Sequence, residues 1–220
     1  MNLPRIQPIN PTRIASAFDH EDFIFELKHD GFRAVAYIED GTCRLISRKQ
    51  IQYKSFAGLR TAMAKLPVKT AILDGELVCL DQDGRSQFRE LMHRRRQDAA
   101  FYAFDLLWLD GQDLRGLPLL DRKQRLQRLL KGQAGLLYAE HIEAKGAALF
   151  QAICDKDLEG IVAKHRLAPY STKPQSWFKV LNPDYSQKRG RKEMFDNFRE
   201  RNGHKLPANT ENPLPQKCTV

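Results

Sequence analysis

The sequence is poor in cysteine, and its cysteines are not spaced as metal or redox pairs. Cys43, Cys79, Cys154 and Cys218 are scattered over the 220 residues. Zinc sites need closely spaced cysteine and histidine ligands, and the six histidines form no such cluster, so zinc is not expected. Unpaired thiols are typical of a reducing compartment, which predicts a cytoplasmic location.

Long apolar runs and a surplus of acid are also missing. No stretch reaches the ~18 apolar residues of a membrane span, and the first residues contain prolines in place of the apolar core of an export signal. No membrane partner is therefore expected. Lys+Arg number 36 against 27 Asp+Glu, a formal net charge of +9. This excess favours a polyanionic partner, DNA or RNA, although a basic soluble protein without such a partner has the same composition.

Residues 26–33, Glu-Leu-Lys-His-Asp-Gly-Phe-Arg, concentrate groups suited to phosphate chemistry. The amine of Lys28 is a nucleophile once deprotonated, and neighbouring cations or a metal favour that form. Asp30 adds a carboxylate, Gly31 allows the backbone to turn, and Arg33 offers a fork that binds phosphate. Taken alone, Lys-x-Asp-Gly is also the approach to an ordinary hairpin, so the rest of the chain must decide.

Further short motifs follow this one along the chain. They are Ser47-Arg48, Asp74-Gly75-Glu76, Phe104-Asp105, Glu159-Gly160-Ile161-Val162-Ala163-Lys164 and Trp177-Phe178-Lys179. Each has an ordinary explanation when read alone: a bulged strand around Glu76, a core aromatic at Phe104, solvated strand ends at the lysines. In this order, however, they resemble the covalent nucleotidyltransferases, the superfamily of ATP-dependent DNA ligases, RNA ligases and mRNA capping enzymes. The motif sequences are most similar to those of the bacterial end-joining branch of the DNA ligases.

The resemblance implies a reaction, two cofactors and a set of residue roles. Lys28 would attack the α-phosphate of ATP, expel pyrophosphate and carry AMP, with Asp30 and Lys179 as the other catalytic residues. The nucleotide would be held by Glu26 at the adenine edge, Phe104 against the adenine ring, Arg33 and Arg48 at ribose and phosphate, and Lys164 and Lys179 at the phosphates. Glu76 would contact the ribose or a metal, and Glu159 would bind Mg²⁺.

Strand and helix signals alternate irregularly, which predicts an α+β protein. Residues 33–38 and 42–47 read as a hairpin, and 136–141 as one strand. Residues 56–66, 121–130 and 147–154 read as helices. We expect two packed antiparallel sheets flanked by helices, with the phosphate site between them. The resemblance implies the same architecture, a nucleotidyltransferase or ATP-grasp-like adenylation fold.

Basic and polar segments lie outside these elements. His93-Arg94-Arg95-Arg96 is expected to end a helix from Ser86, where it either meets phosphates or complements the helix C-terminus. We expect an adenylation domain over residues 1–181 and a basic helix with a flexible tail over 182–220. The helix is predicted over 191–201, and it either docks on the domain or follows a nucleic-acid backbone.

The sequence departs from the resembled family in three places. Leu181 stands where the closing Trp-x-Lys-x-Lys pattern has a second lysine, and Lys173 stands near the place of a usual arginine. Residues 182–220 are too few for the OB-fold domain that follows in ligases and capping enzymes, so the chain is expected either to act as a minimal ligase or to obtain an OB-fold from a partner protein.

Three functions remain open from the sequence. The first is an ATP-dependent DNA ligase that seals nicked or broken DNA in repair and recombination, alone or with an OB-fold or DNA-end-binding partner. RNA ligation or capping is its rival within the same class. The second is a degenerate relative that binds nucleotide or DNA without sealing it, and the third is a structural part of an end-joining complex.

Overall fold

The computed structural model describes residues 3–92, 99–173 and 175–188. The chain divides into two compact units, Met1–Tyr185 and Ser186–Val220. The described part of the second unit is one 3₁₀ turn, Ser186–Lys188. The predicted basic run at 93–96 and the predicted helix at 191–201 lie outside the described residues.

Eleven strands and four helices make up the described part of the first unit. The strands are β1 Thr12–Arg13, β2 Asp19–Leu27, β3 Phe32–Glu39, β4 Thr42–Ser47, β5 Thr70–Cys79, β6 Ala99–Leu109, β7 Gln112–Asp113, β8 Leu136–Tyr138, β9 His141–Lys145, β10 Gly160–His165 and β11 Trp177–Leu181. The helices are α1 Ala57–Ala64, α2 Phe88–Met92, α3 Leu119–Leu130 and α4 Gly146–Asp155. None of the described helices is long and apolar enough to cross a membrane.

The strands form two sheets, which we call sheet A and sheet B. Sheet A has the order β1-β11-β10-β2-β9. Sheet B has the order β4-β3-β5-β6-β7, and β8 lies along β6. The chain begins in sheet A, leaves it after β2 to build sheet B, and returns at β9 to complete sheet A. The two crossings are the segments 28–31 and 139–140.

The hairpin of β3 and β4 shows how local sequence determines structure. Its turn residues, Asp40 and Gly41, have φ values of 46° and 71°. Two left-handed residues in a row are what a type I′ turn requires, and Asp-Gly is a preferred pair for it because glycine has no Cβ. The predicted hairpin is therefore present.

Three apolar cores hold the elements together. One packs sheet B against α1 and α3, and another packs sheet A against α4 through Phe25, Ile153, Ile161 and Val180. The third includes Val35, Phe104 and Trp177 and lies between the sheets, where the amino-terminal Ile6 and Ile9 join it. Packing of two sheets with flanking helices confirms the predicted fold.

Three details differ from the prediction. The strand predicted over 136–141 is two strands, β8 and β9, because the chain crosses between the sheets at Ala139, whose N–H donates to the Ala103 carbonyl. Strand β1 was not expected in a segment rich in proline. Two short pairings, β1 with β11 and β6 with β8, are parallel within otherwise antiparallel sheets.

Candidate active site

A cavity between the sheets gathers most of the predicted nucleotide-binding residues. Its lining consists of Glu26, Leu27, Lys28, His29, Arg33, Glu76, Phe104, Val162, Lys164 and Trp177. Both sheets contribute, because β2, β10 and β11 present one face to β3, β5 and β6. Aromatic rings, two carboxylates and three cations thus converge on one cavity, as is usual for a small-molecule site.

Glu26 is buried at the base of this cavity between two lysines. Its Oε1 accepts a hydrogen bond from Lys123 Nζ at 2.6 Å, and its Oε2 accepts one from Lys164 Nζ at 2.6 Å. Burial opposes ionisation, but the two lysines outweigh it and hold the pKa of Glu26 below its usual value. The carboxylate is therefore charged, and each of its oxygens has one lone pair beyond those used by the lysines.

Lys164 and Phe104 meet at the wall of the same cavity. Lys164 Nζ lies 4.3 Å from the centroid of the Phe104 ring and 4.1 Å from that of Trp177. Burial lowers the pKa of Lys164 to about 8, against the opposing effect of Glu26. Cation–π contacts with the two rings favour the ammonium form over the neutral amine. Phe104 belongs to a core and also lines the cavity, so its core position is confirmed and its contact with an adenine ring stays a prediction.

Lys28 lies at the boundary of two spaces. It lines the cavity between the sheets and also a polar cleft that contains Asp30, Arg85, Lys156 and Glu159. Its Nζ donates to Glu159 Oε2 at 2.7 Å, and a quarter of its side chain is exposed. The Lys28 backbone N–H donates to the Gly160 carbonyl, which fixes the end of β2 against β10. The amine can therefore be reached from both sides.

Asp30 is buried at the edge of the polar cleft. Its Oδ2 accepts a hydrogen bond from the Tyr185 hydroxyl at 3.1 Å. The next residue, Gly31, passes so close to β5 that a Cβ there would lie 2.0 Å from the Leu77 carbonyl oxygen. Only glycine fits at this position. The close approach to β5 therefore explains the Asp-Gly pair after the lysine, and a hairpin turn is not needed to explain it.

Arg33 is held by a carboxylate on the neighbouring strand. Its Nε and Nη2 donate to the two oxygens of Asp74, each at 2.6 Å, and its guanidinium lies 4.3 Å from the centroid of Phe104. The Tyr170 hydroxyl also donates to Asp74, and it accepts the N–H of Ile9. This network fixes the plane of the guanidinium. Within the described residues its Nη1 makes no hydrogen bond, so that nitrogen remains for a ligand.

Glu76 faces the same cavity from β5, opposite Arg33 in the β3–β5 register. Burial raises the pKa of Glu76 to about 7, and the charges of Glu159 and Asp30 add to that effect. Among the described residues no group of three or more His, Cys, Asp or Glu side chains is close enough to hold a metal by itself. Mg²⁺ commonly takes only one or two protein carboxylates and completes its shell with phosphate and water. The carboxylates of Glu76, in the cavity between the sheets, and of Glu159, in the adjoining polar cleft, fit that pattern.

Lys179 and Leu181 lie on the face of sheet A that carries Lys164. The register pairs Trp177 with Lys164, Lys179 with Val162 and Leu181 with Gly160. Lys179 is close enough to Lys28 and Arg48 for their charges, together with burial, to lower its pKa. Arg48 is exposed in the turn after β4. Leu181 therefore lies at the end of β11 that is nearest to Lys28. The expected second lysine would stand at this position.

Two buried cations were missed by the sequence analysis. Lys123 of α3 bonds to Glu26 and to the Ala139 carbonyl, and Arg122 beside it forms a fully buried bidentate pair with Asp105. A helix reading Asp-Arg-Lys-Gln-Arg suggests an exposed charged face, so local pattern gave no signal. The buried Asp of the Phe104-Asp105 motif was the available clue, because a buried carboxylate requires a cationic partner.

His29 was not predicted to have a role either. Its imidazole stacks on the Tyr102 ring, with centroids 3.7 Å apart and planes inclined by 16°. Burial lowers the pKa of His29 to about 4, so the ring is neutral near pH 7. It lines both the cavity and the polar cleft, and so it forms part of the wall between them.

Comparison with known proteins matches this architecture to one family. The profile of the ATP dependent DNA ligase domain matches residues 7–180. The multifunctional non-homologous end joining protein LigD of Pseudomonas aeruginosa is 33% identical over 167 residues, which are 72% of this chain and 20% of the relative. The SPbeta prophage-derived DNA ligase-like protein LigB of Bacillus subtilis is 30% identical over 190 residues, 83% of this chain and 69% of the relative.

A solved structure agrees with the sequence comparison. Mycobacterial DNA ligase D, in a complex with ATP and MES, superposes with a TM-score of 0.70 and 31% identity over 79% of this chain and 59% of that one. The chain thus spans about a fifth of the Pseudomonas protein and three fifths of the mycobacterial ligase chain. The matched segment includes both sheets and every predicted site residue from Glu26 to Lys179. The chain belongs to the ATP-dependent DNA ligase domain family.

Proposed function

We propose that this chain is the adenylation part of an ATP-dependent DNA ligase, with Lys28 as the residue that carries AMP. The observation that carries the proposal is the position of Lys28 between a cavity lined by aromatic rings and a polar cleft. A nucleotide in the cavity would place a phosphate at the amine, and a second substrate would reach the same atom through the cleft.

The cavity is suited to adenine. Phe104 offers a ring against which a base can stack, which contributes about 1–3 kcal/mol per base in comparable sites. Glu26 is a charged acceptor at the base of the cavity. The exocyclic amino group of adenine is a donor, whereas guanine has a carbonyl oxygen at the corresponding position, which a carboxylate repels. ATP is therefore expected to be preferred over GTP.

Lys28 would attack the α-phosphorus of ATP. A P–N bond would form, the bond from the α-phosphorus to the bridging oxygen would break, and pyrophosphate would leave with the electron pair. To reach the phosphorus, Lys28 Nζ must leave Glu159, to which it is hydrogen bonded at 2.7 Å. The amine must also be deprotonated to attack. Arg33 Nη1, Lys164 and Lys179 would neutralise charge on the phosphate oxygens.

Glu76 and Glu159 would hold Mg²⁺ together with the phosphates. When bound, the ion would neutralise charge on the transferred phosphate and on pyrophosphate. Arg48, at the exposed rim, would meet the outer phosphates. Asp30, fixed by Tyr185, would keep the segment after Lys28 in place.

The second substrate would be the 5′-phosphate of nicked or broken DNA. The phosphate oxygen would attack the phosphorus of the lysyl adenylate, and the P–N bond would break with its electron pair going to Lys28 Nζ, which takes up a proton and leaves as the free amine. AMP would pass to the DNA end. The net charge of +9 supports a polyanionic substrate. A protein that binds DNA ends or supplies an OB-fold would be the natural partner. DNA is preferred over RNA here because DNA ligase is the family that matches.

Labelling with α-³²P-ATP or α-³²P-GTP and Mg²⁺, followed by a denaturing gel, tests the proposal. Label from ATP should appear on the protein, resist denaturation, be released by acid or hydroxylamine, and vanish in Lys28→Ala. The matched control is Lys69→Ala, an exposed lysine outside the site, which should label as wild type does. Label that persists on Lys28→Ala would refute the assignment. Labelled protein that never transfers AMP to nicked DNA would favour the nucleotide-binding alternative.

A further inference from the structure

Strand β1 places Arg13 beside the residues that share one face of β11, which are Trp177, Lys179 and Leu181. β1 pairs with β11 in parallel, with Thr12 opposite Phe178 and Arg13 opposite Lys179. Register partners on adjacent strands project to the same side of a sheet. Arg13 is therefore on the face that carries Lys179 and Leu181, which is the face turned toward Lys28.

The surroundings of Arg13 lack the cation that the resembled family has at position 181, although they contain other cations. Lys179 lies within the electrostatic reach of Lys28, Arg48, Glu159 and Arg13, and the charge of Arg13 is among the effects that lower its pKa. Leu181, two residues further on the same face, is half-buried and belongs to none of the three apolar cores of the described residues. Leu181 is therefore not part of an apolar core in the described part of the chain.

Strand geometry brings the arginine within reach of the position over Leu181. Adjacent strands are about 4.8 Å apart, and residues two apart on one strand are separated by about 6.7 Å. The Cα of Arg13 is thus one strand spacing from Lys179, and its long side chain extends from the sheet on the same side. Arg13 is exposed, and within the described part of the chain its side chain makes no hydrogen bond or ion pair.

We propose that Arg13 supplies, from the neighbouring strand, the phosphate-binding cation that Leu181 does not provide. Its ligand would be a β- or γ-phosphate oxygen of ATP during formation of the lysyl adenylate. The inference rests on the proposed function, because it assigns a residue to the triphosphate of that reaction. An arginine guanidinium binds two phosphate oxygens at once. Arg13 acting in place of a lysine at position 181 would therefore keep the positive charge and add geometric selectivity.

Single-turnover labelling with α-³²P-ATP in four proteins tests this inference. Arg13→Ala should lower the rate about tenfold, less than the 10²–10³-fold loss typical of an enclosed charged contact, because the residue is exposed to solvent. Leu181→Lys in the Arg13→Ala background should restore most of the lost rate. The matched control is Arg128→Ala on α3, which removes an equally exposed arginine away from the site and should label as wild type does.

Three results would overturn the inference while leaving the proposed function intact. They are equal rates in Arg13→Ala and wild type, no rescue by Leu181→Lys in folded protein, or an effect confined to the chase of preformed adenylate with nicked DNA. If wild type itself takes no label, the proposed function fails, and equilibrium binding decides the role of Arg13. A loss of ATP affinity in Arg13→Ala with unchanged AMP affinity would then support it, and an equal change for both nucleotides would overturn it.

Discussion

Replacing Lys123 by methionine should cost about 3–5 kcal/mol of unfolding free energy. The change removes one of the two cations that hold the buried Glu26 carboxylate, and a buried charge left without part of its compensation is destabilising by about that amount. Methionine fills the space of the lysine stem, so the cavity contribution is small. Against a typical total of about 5–15 kcal/mol, this loss is a large fraction of the stability.

The loss should depend on pH in a defined direction. In wild type the pKa of Glu26 lies below its usual value, so the network contributes stability above pH ~4.5 that disappears as the pH falls through the lowered pKa. In Lys123→Met, burial acts against one lysine only, and the pKa of Glu26 rises relative to wild type. The folded variant then takes up a proton at a higher pH than wild-type protein does. The stability difference should therefore shrink as the pH is lowered from about 7 to about 4.

Urea unfolding followed by circular dichroism at several pH values measures both effects. Lys131→Met, an exposed lysine just after α3, is the matched control and should change stability by no more than about 0.5 kcal/mol. Glu26→Gln combined with Lys123→Met should be less destabilised than the sum of the single variants. A loss below about 1 kcal/mol with unchanged pH dependence would show that Lys123 does not compensate Glu26.

Three further predictions concern the phosphate site, the surface and the fold. Lys179→Ala should slow single-turnover adenylylation by about 10²–10³-fold, and a rate near that of wild type would remove Lys179 from the reaction. Affinity for nicked duplex should fall with a log–log salt slope of about −0.9 per phosphate contacted, and a flat response between 50 and 200 mM salt in a filter-binding assay would exclude phosphate contacts. Gly75→Ala should destabilise the protein by more than about 2 kcal/mol in urea unfolding, because a Cβ there would lie 2.4 Å from the Phe101 ring; wild-type stability would mean that β6 moves freely.

The candidate site residues that lie within one strand and its turn could be located from sequence. Lys28, Glu26 and Arg33 lie in one short string, and the sheets that bring them to Phe104 and Lys164 follow from strand patterns of period two. The partners of these residues could not be predicted. Lys123 is 97 residues from Glu26, and nothing in its helical context distinguishes a buried lysine from an exposed one.

The position of strand β1 in the amino-terminal segment could not be predicted from sequence either. Proline-rich sequence predicts irregular structure, which is correct for most of residues 3–18. Strand β1 has only two residues, and it exists because the edge of β11 is available for pairing. Such a strand depends on its partner and has no periodicity of its own, so Arg13 could be located only in the folded protein.

The insertion of sheet B between β2 and β9 has a consequence for folding. Strands β3, β4, β5 and β6 pair with near neighbours in sequence. Strand β2 pairs with β9 and β10, which follow more than a hundred residues later in the chain. Closing so long a loop costs entropy, and that cost falls once sheet B has formed and shortened the free chain. In pulsed hydrogen exchange, amides of β3 and β5 should gain protection before those of β2 and β10, and the reverse order would contradict this pathway. Lys28 meets Glu159 only in the second stage, so folding intermediates would contain Lys28 without its carboxylate partner.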